Sequence, residues 1–121
     1  MSPIDFVLYY VSDVARAAAF WSQVFGGPPV EQSPGFAMFV LPSGVKFGLW
    51  RRADVLPIAA APGGAEVAIA LGSAEAVDAA HDRYRSLGLQ VLQPPTAMDF
   101  GYTFTAADPD GNRIRLFVPQ G

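Results

Sequence analysis

The 121-residue chain has no cysteine. That excludes a disulfide framework, thiolate metal sites and a cysteine nucleophile. Histidine is almost as scarce, since His81 is the only one. No serine has a histidine beside it in the pattern, so no acyl-transfer arrangement forms on paper. Charge is sparse too, at 16% of residues, where soluble domains run near ~25%. The balance is 8 basic against 11 acidic residues, a net charge of −3. Nothing here draws the chain to nucleic acid or to an anionic membrane. No apolar run approaches the ~18 residues of a membrane span, and no charged segment leads into an apolar one at the start. The expectation is a soluble, cytoplasmic protein. Gly26-Gly27 and Gly63-Gly64 lack the spacing and the Lys-Ser/Thr of a phosphate loop.

What the chain has is a repeat. Pro42-Ser43-Gly44-Val45-Lys46-Phe47-Gly48-Leu49 is echoed by Pro109-Asp110-Gly111-Asn112-Arg113-Ile114-Arg115-Leu116. Each is a tight turn running into a strand. Repeated units of this kind bury their apolar faces together. The high apolar fraction, 51%, points to a buried oligomer interface or a wide apolar cavity.

The first copy reads as a strand over Ile4 to Val11, then a helix capped by Ser12 or Asp13. Val14, Ala18, Trp21 and Phe25 form its apolar face, and Gly26-Gly27 stops it. Strands follow over Phe36 to Leu41 and Val45 to Trp50. Arg51 to Ala65, with two prolines, an Ala-rich run and Gly63-Gly64, reads as a linker. The second copy begins with a strand over Glu66 to Leu71. Ser73 caps a helix whose inner face is Val77, Ala80, Tyr84 and Leu87, closed by Gly88. Strands follow near Leu89 to Leu92, Gly101 to Ala106 and Asn112 to Val118. The expected architecture is α+β: one domain, residues 1–121, of two βαβββ modules, with a curled mixed sheet around a cavity and the helices outside. Module 1 covers about 1–52, the linker about 53–64 and module 2 about 65–121. In this alignment Phe6 matches Glu66 and Gly44 matches Gly111.

Several segments resemble the vicinal-oxygen-chelate superfamily: glyoxalase I, extradiol dioxygenases, fosfomycin-resistance enzymes and bleomycin-resistance proteins. They are Val11-Ser12-Asp13, Ala18 with Phe20-Trp21, and Phe25-Gly26 in the first half. In the second they are Gly64 to Ile69, Gly101-Tyr102-Thr103-Phe104 and Asp108-Pro109-Asp110-Gly111-Asn112. The resemblance spans nearly the whole chain. It implies a sheet from each module curling round a shared cavity. Metal-dependent members hold a metal there with His on the first strand of each module and Glu on the last. Carried over, those places fall at Phe6, Gly48, Glu66 and Arg115. Phe6 and Gly48 offer no side-chain donor, and Arg115 is a permanent cation. Only Glu66 is able to ligate, so the expectation is no metal and no cofactor.

Strand alternation gives the cavity lining. With Phe6 and Glu66 inward, so are Leu8, Tyr10, Ala68 and Ala70. With Gly48 and Arg115 inward, so are Lys46, Trp50, Arg113 and Phe117. The opposite parity is almost wholly apolar, as befits a face under helices. The inward set mixes aromatics with charges, which suits a pocket that stacks a flat ligand and fixes its polar end. Trp50 is read as a stacking wall, with room left beside it by Gly48. Lys46, Arg113 or Arg115 is read as meeting an anionic group of the ligand. Glu66 and Arg115 are expected to face each other. Glu66 is alone among inward residues, which excludes a carboxylate pair for glycoside chemistry.

No catalytic residue is assigned. The ligand-binding set is Phe6, Leu8, Tyr10, Lys46, Gly48, Trp50, Glu66, Arg113, Arg115 and Phe117. The reading is metal-independent binding and sequestration of a small, planar, hydrophobic compound by a homodimer of the bleomycin-resistance type, with an antibiotic as the candidate ligand. Two alternatives stay open. One is a metal-independent lyase or isomerase using Glu66 as acid or base; the other is a non-catalytic dimerisation module.

Overall fold

Two sheets of the same strand order account for all eight strands of the computed structural model, which describes residue 1 and residues 3–120. The chain divides into two compact units, Met1–Gly63 and Gly64–Gly121.

In the first unit, β1 (Phe6–Val11) leads into helix α1 (Val14–Phe25), then β2 (Glu31–Gln32), β3 (Phe36–Val40) and β4 (Lys46–Arg51). The sheet order is β1-β4-β3-β2, with β1 parallel to β4 and the other pairs antiparallel. The Asp13 carboxylate caps α1 by accepting the Arg16 N–H at 3.1 Å, and Gly26 closes it in the left-handed conformation at φ 79°, where a side chain is strained. The helix buries Val14, Ala17, Ala18, Phe20 and Trp21. The Trp21 indole meets Tyr9 edge-on at 5.7 Å and lies 4.8 Å from Phe47, so odd-numbered residues of β1 and β4 face the helix.

The second unit repeats the order: β5 (Glu66–Ala70), α2 (Ala74–Ser86), β6 (Gln90–Met98), β7 (Gly101–Ala107) and β8 (Arg113–Pro119), in a sheet ordered β5-β8-β7-β6. Ser73 caps α2 by accepting the Ala76 N–H at 3.1 Å. Val77 and Tyr84 are fully buried, and the Tyr84 ring meets Phe104 edge-on at 5.3 Å.

The repeat holds at the level of single hydrogen bonds. Phe6 pairs with Lys46 and Glu66 with Arg113; Leu8 pairs with Gly48 and Ala68 with Arg115. The turn before each last strand makes the same two backbone bonds. Gly44 N–H donates to Leu41 O and Gly111 N–H to Asp108 O; Leu41 N–H donates to Val45 O and Asp108 N–H to Asn112 O. The units differ inside that turn. Buried Asp108 accepts the Asp110 and Asn112 backbone N–H groups, each at 2.9 Å, and the Asn112 side-chain amide at 3.2 Å. Leu41 has no carboxylate to offer, and the first turn relies on the Ser43 hydroxyl accepting the Val45 N–H at 3.4 Å.

The structure departs from the sequence reading in four places. The second strand of the first βαβββ module had no sequence signal; it is the two-residue β2, whose backbone pairs with β3 although its side chains are exposed and carry no pattern. Strand β6 runs on through Pro94 and Pro95 to Met98. Its ladder skips across the prolines, which lack the N–H to continue it. Leu87 is exposed at 40% because the last helical residue is Ser86; His81, against Phe104 at 5.4 Å, packs with Tyr84 on the inner side instead. The linker also holds some structure: a single 3-10 turn over Arg52–Asp54, a buried Val55 and a cis Leu56–Pro57 bond.

Candidate functional site

The side of each sheet turned away from its helix carries the chemistry. In the second unit that side presents Glu66, Ala68 and Ala70 from β5, Arg113, Arg115 and Phe117 from β8, and Thr103 and Thr105 from β7. Arg115 is the hub. Its Nε donates to Glu66 Oε2 at 2.9 Å and its Nη2 to Glu66 Oε1 at 3.4 Å. Its Nη1 lies 3.3 Å from Gln93 Oε1 and 3.3 Å from Thr103 Oγ1. The expected Glu66–Arg115 pair forms, with side-chain exposures of 35% and 18%. Thr103 is fully buried and donates its own hydroxyl to the Leu116 carbonyl at 2.9 Å. Only its lone pairs are left for Arg115.

Phe100 covers this hub. The Arg115 guanidinium carbon lies 5.7 Å from its ring centre, within cation–π range, and Phe117 meets it edge-on at 6.0 Å. Two backbone features hold Phe100 there. Its carbonyl accepts the Gln120 N–H at 2.9 Å. The next residue, Gly101, has φ +151°, and a Cβ there would collide with the Val118 carbonyl.

The first unit presents Phe6, Leu8 and Tyr10 from β1, Lys46, Gly48 and Trp50 from β4, and Phe36 and Met38 from β3. Phe6, Leu8 and Tyr10 are 38%, 42% and 37% exposed, high for large apolar side chains. Trp50 meets Tyr10 edge-on at 6.3 Å, and the Lys46 ammonium lies 5.9 Å from the Phe6 ring centre. One expectation is overturned. Gly48 does not leave an opening beside Trp50, because its neighbours fill the space. A Cβ there would lie 2.7 Å from Leu8 Cδ2, 3.0 Å from Phe6 Cε1 and 3.1 Å from Phe36 Cε1. The glycine lets three apolar side chains fold down over the strand.

Arg115 also departs from its expected part. An anionic ligand needs a free guanidinium edge, and this edge is already taken by Glu66, Gln93 and Thr103. Lys46 remains against Phe6. Arg113 is exposed, opposite Glu66 in the β5–β8 register. Arg51 is the last residue of β4, and its Nε donates to Asp54 Oδ2 at 2.8 Å.

The four positions that the superfamily resemblance assigned to metal ligands carry groups that do not suit a metal. Glu66 gives both oxygens to Arg115, and apolar side chains close over Gly48. Among the described residues, no three or more His, Asp or Glu side chains group to hold an ion.

Sequence reasoning missed Phe36, Met38, Gln93, Phe100, Thr103 and Thr105. Alternation would have placed Phe36, Met38, Thr103 and Thr105 once the β3 and β7 registers were known. Phe100 lies between strands, and no periodic signal reaches it.

Known proteins share this fold. The family model of the Glyoxalase/Bleomycin resistance protein/Dioxygenase superfamily matches residues 3–116. The phenazine antibiotic resistance protein EhpR of Enterobacter agglomerans is 32% identical over 112 residues, covering 90% of this chain and 86% of EhpR. Protein ATC0852 of Agrobacterium tumefaciens, solved by NMR, is 41% identical with a TM-score of 0.89 over the full length of both chains. A glyoxalase-related enzyme from Fulvimarina pelagi shares the fold at 22% identity, with a TM-score of 0.84 over 98% of this chain and 88% of its own.

Proposed function

The chain belongs to the glyoxalase/bleomycin resistance protein/dioxygenase superfamily, and from that premise we propose that it protects its host by binding a flat aromatic toxin without altering it. Its likeness to a phenazine antibiotic resistance protein supports a resistance-type role. A fused planar ring of the phenazine type is the ligand class proposed. The observation that carries the reading is the helix-free side of the first sheet, where Phe6, Leu8 and Tyr10 stand well exposed beside Trp50. Large apolar side chains exposed together mark a binding surface. Aromatic walls stack flat rings, each contact contributing roughly 0.5–1.5 kcal/mol beyond area burial.

The lyase or isomerase reading needs Glu66 free to exchange a proton. Both its oxygens accept bonds from Arg115, which favours binding over catalysis. The working form is proposed to be a homodimer, with a small aromatic molecule as partner and neither nucleic acid nor membrane involved. No described helix is long and apolar enough to cross a membrane.

The test is a phenazine titration followed by tryptophan fluorescence, with the ligand recovered and weighed by mass spectrometry. Trp21 is fully buried and Trp50 is not, so quenching should be strong in the wild type and mostly lost in Trp50→Phe. The ligand should return unchanged. A modified product overturns sequestration, and no quenching at all overturns the aromatic wall. Light scattering should give about twice the 12.9 kDa chain mass; a monomer removes the dimer from the reading.

A further inference from the structure

The helix-free side of the second sheet sets an ion pair, Glu66 with Arg115, beside two aromatic rings, Phe100 and Phe117. We propose that Glu66, Ala68, Ala70, Phe100 and Phe117 form a subsite for an uncharged fused ring that carries a hydrogen-bond donor, and that Glu66 receives that donor. This rests on the reading that the protein binds flat aromatic rings; it adds which edge chemistry is accepted.

The argument begins with the guanidinium of Arg115. It has five N–H donors and no acceptor. Nε and Nη2 point to Glu66, and Nη1 points to Gln93 and Thr103. Gln93 Oε1 is itself held, since the Thr105 hydroxyl lies 3.5 Å away. One Nη2 donor remains, too few for the two-pronged grip that makes Arg a strong carboxylate receptor. A carboxylate ligand would have to displace Glu66 to gain that grip.

Glu66 is the open end of the pair. Its side chain is 35% exposed, and an ionised carboxylate has about four acceptor sites, of which Arg115 takes two. What the site still accepts is a donor. Ala68 and Ala70 follow on the same face of β5, both exposed. Their methyl groups make a low floor between Glu66 and the Phe100–Phe117 edge. Along a strand, Glu66 to Ala70 covers about 13 Å, room for a fused two- or three-ring system. Arg113 stands opposite Glu66 but is exposed, so its charge is screened and holds an anion weakly.

The experiment is calorimetric titration of wild type and Glu66→Gln with phenazine, 2-aminophenazine and phenazine-2-carboxylate at neutral pH. The wild type should bind the amine about tenfold more tightly than the carboxylate, the span of one charge-assisted hydrogen bond. Glu66→Gln should lose that preference, and the carboxylate should gain about tenfold as the Arg115 fork is freed. Phe100→Ala should weaken all three rings by about fivefold with their order unchanged. Carboxylate binding as tight as the amine in the wild type overturns the inference and leaves ring sequestration standing. So does an amine preference that persists in Glu66→Gln, or affinities indifferent to Phe100→Ala. If none of the three rings binds, ring sequestration itself fails and the inference fails with it.

Discussion

Phe6 and Glu66 hold the same place in two sheets of one topology, and so do Gly48 and Arg115. Strand registers extend the match: Phe36 stands where Thr103 does, and Met38 where Thr105 does. At each of these positions the second unit has a polar group in one network, and the first unit has an apolar side chain or none. Where Arg115 fills the second face, Gly48 leaves a gap that Phe6, Leu8 and Phe36 close. The strand register at these positions is the same in both units, so register does not decide the chemistry. Four pairs of residues turn one face into an aromatic surface and the other into a fixed ion pair. Fold and function separate here at the level of single residues.

Substitutions test how deep the difference runs, and the largest effect is expected where the units share nothing. Gly101→Val forces a β-branched residue to φ +151° against the Val118 carbonyl. It should cost about 3 kcal/mol or more and release Phe100. Chemical denaturation will show it; a midpoint unchanged from wild type would mean that the β7 start tolerates a side chain.

Asp108→Ala comes next. It leaves the buried Asn112 N–H without its acceptor, for an expected loss of about 2–3 kcal/mol. Leu41→Ala at the matching place in the first unit removes no hydrogen-bond acceptor and should cost less. Equal losses at the two turns would show that the carboxylate adds nothing beyond packing.

Arg115→Met removes the donor that holds both oxygens of Glu66. Because Glu66 is partly exposed, the loss should be about 1–2 kcal/mol rather than that of a fully buried pair. The double variant Glu66→Gln with Arg115→Met should recover part of it, and a cycle with no coupling would dismiss the pair as a stabilising contact.

Gly48→Ala should cost under about 1 kcal/mol, since the two atoms nearest its Cβ end the exposed, rotatable side chains of Leu8 and Phe6. Its marker is a changed Trp50 fluorescence spectrum; an unchanged spectrum would separate Gly48 from the aromatic face.

The smallest effect is confined to alkali. Burial raises the Tyr84 phenol from 10.0 to about 12. The unfolded chain therefore loses this proton first. Below pH 10.0 the contribution of Tyr84 is complete, and it falls away as the pH rises towards about 12. Tyr84→Phe should flatten that decline. A tyrosinate absorbance titration showing all four tyrosines ionising together near their ordinary value would contradict it.

Much of this was legible in the residues. The repeated turn-and-strand segments gave the βαβββ order twice, because glycine turns and helix caps are local signals. Alternation in Ile4 to Val11, Glu66 to Leu71 and Asn112 to Val118 sorted each strand into a helix-facing and a helix-free side, because the period of a strand is two. The resemblance to the superfamily, which placed Glu66 and Arg115 at two of its metal-ligand positions, set the two charges face to face.

Tertiary structure decided the rest. Whether Gly48 is an opening or a seat depends on where the side chains of Phe6, Leu8 and Phe36 settle, and that comes from packing across three strands. Whether Arg115 is free to grip a ligand depends on Gln93 and Thr103, which lie 22 and 12 residues away in sequence. Phe100 reaches the site only because Gly101 bends the chain and Gln120 ties it down. Local pattern assigns a residue to a face; only non-local contacts determine what that face has left to offer.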